Sequence, residues 1–253
     1  MFTERLQIVE NKISLACSKA GRSSPVQLIA VSKTHPPAAL QEAFAAGVRV
    51  FGENKVQEAK AKIPELPGTC RWHFLGHLQR NKIRQALPLF DLFHGVDSLS
   101  IARDMDRVGQ ELGLFPRILL ETNIAGESTK FGFSPSQLEE QFEEIMQLTR
   151  LQVLGLMTIP PPVQEPEQAR KYFTSLRMLR DRLQERFCVS LPELSMGMSD
   201  DFTVAIEEGA TMVRVGTALF GERTARTGPS EASEALDGWT ERVQNSPCNE
   251  HAP

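Results

Sequence analysis

The stretch VQLIAVSK, residues 26–33, is a short apolar run that stops abruptly on a polar pair, Ser32 and Lys33. It is too short for a helix. Its continuous rather than alternating apolarity is what a parallel strand covered on both faces requires. Seven further runs have the same form: VRVFGE (48–53), RWHFLG (71–76), LFDLFHGVD (89–97), PRILLETN (116–123), LQVLGLMTIP (151–160), PELSMGMS (192–199) and MVRVGTALFG (212–221). Amphipathic stretches lie between them. Ile101, Met105, Val108 and Leu112 recur at helical spacing behind Asp97 and Ser98, which suit an N-cap. Leu138, Phe142, Ile145 and Met146 follow Ser134 and Pro135, and a longer stripe carries Phe173, Leu176, Leu179, Leu183 and Phe187. The charged residues between these positions read as solvated faces.

Eight strands alternating with helices predict a (β/α)8 TIM barrel, at about 24 residues per unit a lean one. Residues 1–22 predict an extra N-terminal helix on Leu6, Val9, Ile13 and Ala16. The expected organisation is a single barrel domain over 1–222, then a polar C-terminal helix and tail over 223–253 with a weak stripe at Leu236, Trp239 and Val243. A doubly wound open sheet is the other way to arrange alternating elements, but no GxGxxG follows any strand, which disfavours dinucleotide binding.

Composition narrows the function classes. Lys plus Arg number 28 against 32 Asp plus Glu, a net charge of −4 that gives no general attraction for nucleic acid or for an anionic membrane. No apolar run reaches membrane-spanning length, and the opening MFTERLQIVENKISL has no signal-peptide core, so a soluble cytoplasmic protein is expected. Cys17, Cys70, Cys188 and Cys248 share no CxxC spacing and predict neither a metal site nor a disulfide framework.

Barrels of this type place their chemistry at the C-terminal ends of the strands. Those ends are polar almost without exception: Ser32-Lys33, Gly52-Glu53-Asn54, His73 and His77, His94 and Asp97, Glu121 and Asn123, Met157-Thr158, Ser195 and Ser199, and Arg214 with Gly216-Thr217. Lys33 closes an apolar strand. Its position leaves two readings: a lysine marking the strand end in solvent, or an ammonium desolvated enough to release a neutral amine for a Schiff base. RVGTALFG (214–221) is either a turn that needs glycine or a small-residue loop whose amides suit a phosphate, with Ser199 as a further donor. His73 and His77 are spaced like zinc ligands on a helix, but they flank a strand end and do not share a face, so no metal site is expected.

Taken in order, Lys33, the GEN triplet (52–54), WHFLGHLQRNK (72–82), SMGMSDDF (195–202) and RVGTALFG (214–221) resemble the motifs of the pyridoxal phosphate homeostasis protein family. The likeness spans about residues 5–222, with no departure at the motif positions. The resemblance implies a fold-type III PLP barrel like the N-terminal domain of alanine racemase, with pyridoxal 5′-phosphate (PLP) held as a Schiff base on Lys33. It implies Arg214 facing the pyridine nitrogen, and Ser199, Gly216 and Thr217 around the phosphate. Asn54, His73, Met157 and Ser195 become neighbours of ring and phosphate. It further implies a non-enzymatic protein of vitamin B6 and amino-acid homeostasis, working as a monomer, with apo-PLP enzymes as recipients.

Two rival functions are a PLP-dependent amino-acid racemase or lyase, and a barrel enzyme for another phosphorylated metabolite. A permanently cationic arginine opposes protonation of the ring nitrogen and so weakens the electron sink. Racemisation also needs an opposing base, which alanine racemases take from a tyrosine of a second, β-rich domain. The one tyrosine here, Tyr172, is expected on the helix after the sixth strand, away from the strand ends.

Overall fold

A computed structural model of the chain describes residues 1–127 and 129–221. The expected stripe at Leu236, Trp239 and Val243, and Cys248, lie outside the described residues. Eight strands close into a barrel, each hydrogen-bonded in parallel to the next: β1 (Gln27–Val31), β2 (Val50–Glu53), β3 (Arg71–Phe74), β4 (Leu92–Val96), β5 (Arg117–Glu121), β6 (Gln152–Met157), β7 (Glu193–Ser195) and β8 (Met212–Val215). β8 returns to β1 with Ile29 opposite Arg214 and Ala30 opposite Val215. Every apolar run read from the sequence contains one of these strands.

The helices are α1 (Phe2–Lys19), α2 (Pro37–Ala45), α3 (Val56–Lys62), α4 (Ile83–Ala86), α5 (Leu99–Leu112), α6 (Pro135–Met146), α7 (Arg170–Phe187), α8 (Phe202–Glu207) and α9 (Thr217–Phe220). Ser98, not Asp97, caps α5: its hydroxyl accepts the Ile101 amide, and Gly113 ends the helix in the left-handed region at φ 68°. α6 starts with a capping box between Ser134 and Gln137 and a proline at its first position. The extra N-terminal helix forms as expected and packs on α8 and α9. The Arg22 guanidinium beyond it donates to the carbonyls of Ile206 (3.0 Å) and Ala210 (2.7 Å). Among the described residues no helix is long and apolar enough to cross a membrane.

Strand alternation sorts side chains into two cores. Ala30, Phe51, Trp72, Phe74, Phe93, Ile118 and Leu120 face the helices, with the rings of Phe51 and Trp72 stacked at 5.4 Å. Ile29, Leu75, Leu92, Leu119, Met157 and Met212 fill the barrel interior. Gly155 lets β6 approach β7, since a Cβ there would collide with the Glu193 carbonyl. Leu112 and Met146, predicted at the ends of apolar stripes, sit at the helix ends and remain exposed.

Candidate functional site

The alternation that makes the interior apolar below makes it polar above. Ile29 and Val31 point inward from β1, and Ser32 points outward, where its hydroxyl donates to Glu53 Oε1 at 2.6 Å. Lys33 is half-buried in the turn that follows β1. β1 stops at Val31, so Lys33 lies two residues past the strand rather than within it. Gly216 follows β8 directly beside this turn, close enough that a Cβ would touch Val31 at 3.4 Å. Thr217 opens α9 with its side chain in solvent, and the Ser199 hydroxyl accepts the Ala218 amide at 3.3 Å. Lys33, Ser199, Gly216 and Thr217 therefore gather on one side of the mouth, above the β8–β1 seam.

Arg214 lies beneath them inside the barrel. Its guanidinium donates through Nη1 to Ser195 Oγ (2.6 Å) and through Nη2 to the Thr158 carbonyl (2.9 Å). Burial pulls it down from 12.5 to about 10, against the charges of Asp201 and Glu121, so it stays cationic at neutral pH. Ser195 contacts His94 Nδ1 at 2.8 Å, and His94 Nε2 contacts His73 Nδ1 at 3.0 Å. The direction that gives the Ser195 hydroxyl hydrogen an acceptor runs from Arg214 to Ser195, from Ser195 to His94 Nδ1, and from His94 Nε2–H to His73 Nδ1. The neutral His94 imidazole then accepts at Nδ1 and donates at Nε2, and His73 accepts at Nδ1. Burial keeps both rings neutral: His73 falls to about 4, and His94 lies well below its ordinary 6.5, with His73 and Arg214 adding to the effect.

His73 thus sits at the deep end of a chain and reaches Arg214 only through His94 and Ser195. Met157 is buried in β6 opposite both Glu121 and Ser195. Asn54 follows β2, the strand beside β1, and lines a cleft of about 260 Å³ with His77, Gln79 and Lys82. Gly76 packs on the Asn54 backbone, where a Cβ would clash with its carbonyl. His77 does not join His73: its Nδ1 meets buried Asp97, and its ring stacks on Phe131 at 3.9 Å.

His94, Thr158 and Glu121 were visible as strand ends but not as parts of this site. The signal that finds two of them is parity, since His94 and Glu121 each stand two residues after an interior leucine, Leu92 and Leu119. Burial, with Asp97 adding to it and Arg214 and His77 opposing, raises the Glu121 carboxyl from 4.5 to about 7. The donor set near the seam fits PLP in kind: an amine for an aldehyde, hydroxyls and a side-chain-free glycine for a phosphate, and a fixed cation for a ring nitrogen.

Fold and site together define a barrel of the alanine racemase N-terminal-domain class, and the family model described as "Alanine racemase, N-terminal domain" matches residues 5–224. An alanine racemase of Clostridium difficile superposes with a TM-score of 0.67 at 17% identity, over 88% of this chain and 58% of that one, a likeness of fold alone. The chain belongs to the pyridoxal phosphate homeostasis protein family. It is 46% identical to the member from Aquifex aeolicus over 87% of this chain and 97% of that protein. It is 42% identical to the Escherichia coli K12 member over 88% and 97%. PipY of Synechococcus elongatus, solved with PLP bound, superposes with a TM-score of 0.77 at 41% identity, over 87% of this chain and all of that one.

Proposed function

We propose that this chain is a non-enzymatic carrier of PLP, holding the cofactor on Lys33 in the cytoplasm and yielding it to apo-PLP enzymes. The 1–222 barrel would be the binding unit, acting as a monomer. The observation that carries this reading is the buried, doubly anchored Arg214 beneath Lys33 at the β8–β1 seam. PLP supplies an aldehyde for an amine and a conjugated ring that can accept an electron pair. Lys33 would hold the aldehyde, Arg214 would face the ring nitrogen, and Ser199, Gly216 and Thr217 would hold the phosphate. Asn54, Met157 and Ser195 would border the group, with His73 supporting them from below through His94.

The residues favour holding over turnover. Arg214 remains charged at neutral pH, and its charge opposes a proton on any nitrogen beside it. Tyr172 lies in α7, on the helical ring and not at a strand end. No tyrosine is therefore available at the mouth as an opposing base.

The test is exchange of the α-proton of several L-amino acids in deuterated water, followed by NMR with the PLP-loaded protein. Exchange no faster than with free PLP is expected. Turnover at about 1 per second or above, within the ordinary enzymatic range, would establish an enzyme and overturn the carrier reading. In the companion assay, PLP-loaded protein reactivates an apo-enzyme, compared with free PLP at equal concentration.

A further inference from the structure

We propose that Lys62 and Glu58 are positioning residues for Lys33, a clamp on the outer face of the barrel that grips both peptide units of that lysine; this rests on Lys33 being the residue that holds the cofactor. Lys62 Nζ donates to the Ser32 carbonyl at 2.9 Å, which is the peptide unit entering Lys33. The Thr34 amide, the peptide unit leaving Lys33, donates to Glu58 Oε2 at 2.8 Å. The two grips are one device, because Lys62 Nζ also meets Glu58 Oε2 at 3.2 Å. Lys62 is anchored in turn on Glu53 Oε1 at 2.8 Å, the oxygen that receives the Ser32 hydroxyl. β1, its turn, β2 and α3 are thereby joined around the backbone of a single residue.

Three unfavourable features coincide here, which argues for a purpose other than stability. The Lys62 side chain is 7% exposed and that of Glu53 fully buried, and a buried ion pair is a poor stabiliser compared with apolar packing. Glu53 Oε2 is buried with no hydrogen-bond partner among the described residues, an incompletely satisfied network in the core. Thr34 adopts φ 68°, a left-handed conformation that a β-branched residue avoids. Strain of this kind persists where surrounding contacts impose it: the His35 amide donates to the Ser32 carbonyl at 3.1 Å, closing a turn with Thr34 at its third position, and the Glu58 carboxylate holds the Thr34 amide within it. Burial alone would raise the Glu58 carboxyl, but the Thr34 amide and Lys62 outweigh it and hold it below 4.5, so it is ionised at neutral pH. With both flanking peptides fixed and Ser32 turned outward, the Lys33 side chain enters the mouth from a set direction instead of sampling the turn.

The experiment uses the full chain and two readouts. Wild-type protein mixed with PLP is pulsed with borohydride and the pyridoxyl label is mapped and timed; separately, amide exchange at Thr34 is followed without cofactor. Thr34 is an exposed turn residue, so its amide is slow to exchange only if the clamp holds it. Glu58→Ala should slow labelling of Lys33 by about tenfold, the loss of one charge-assisted bond, and speed Thr34 exchange by a similar factor. Glu58→Gln keeps an acceptor and should restore both. The double variant Glu53→Leu with Lys62→Met removes the buried charges together and should fold while labelling slowly. Rapid Thr34 exchange in the wild type, or Glu58→Ala with both readouts unchanged, overturns the clamp. If the wild type labels elsewhere than Lys33, the parent reading fails, while Thr34 exchange still reports on the clamp by itself.

Discussion

Replacing Arg214 with methionine separates what the fold needs from what the ligand needs. Burial lowers the guanidinium from 12.5 to about 10. A depressed basic group is charged in both folded and unfolded states below pH 10, so its penalty is fully present at pH 7 and fades only as pH rises from 10 through 12.5. At 1.36 kcal/mol per unit, the charge costs the folded state about 3 kcal/mol. Arg214→Met removes that penalty. It also strips a donor from the Thr158 carbonyl, which costs about 1–3 kcal/mol, while Ser195 keeps His94 as its partner. The two effects nearly cancel. The ligand-free variant should unfold in urea within about 1–2 kcal/mol of the wild type, on that subtraction. Its response to PLP should fall by half or more: wild type at a hundredfold excess over Kd gains about 2.7 kcal/mol, and a variant bound tenfold or more weakly gains about 1.4 kcal/mol or less. Urea curves at pH 7.5 with and without PLP read both quantities. A ligand-free loss well above 3 kcal/mol with the PLP-linked gain intact would make Arg214 a structural residue and not a ligand contact.

Lys33→Ala should remain folded and retain PLP only weakly and without borohydride-stable attachment; an unchanged pyridoxyl peptide map would move the attachment to another lysine. Thr217→Val, on an exposed side chain at the start of α9, should weaken PLP binding by about ten- to a hundredfold with no change in melting temperature, and unchanged affinity by fluorescence titration would leave RVGTALFG a mere turn. Glu121→Gln tests the interior field. An acid raised from 4.5 to about 7 supports the fold fully below pH 4.5 and loses that support as pH climbs through 7. The variant should therefore match wild type in urea at pH 4 and exceed it at pH 8 by up to about 3 kcal/mol; equal gains at both would show that the Glu121 carboxyl does not carry the effect.

Parity explains how much of this was legible in the chain. Continuous apolar runs located all eight strands because both faces of each are covered, and residues such as Leu92, Phe93 and His94 differ in destination but not in the run they form. Polar strand ends pointed to Lys33, Ser195 and Arg214 since those positions cannot be buried without partners. The chain from Arg214 to His73 was not legible, because His94 and Ser195 are 101 residues apart and only closure of the barrel brings them within 2.8 Å. The clamp was hidden for a different reason. Glu58 and Lys62 stand four apart on a short helix, the spacing of an ordinary solvated pair worth a few tenths of a kcal/mol. Nothing in that spacing tells that the helix lies over the gap between β1 and β2, where Lys62 finds the Ser32 carbonyl and Glu53 instead of water. A surface motif becomes a buried device through the position of its helix, and that position follows from the length of the turn between β2 and α3: two residues, Asn54 and Lys55, which leave α3 no room to swing away from the end of β1.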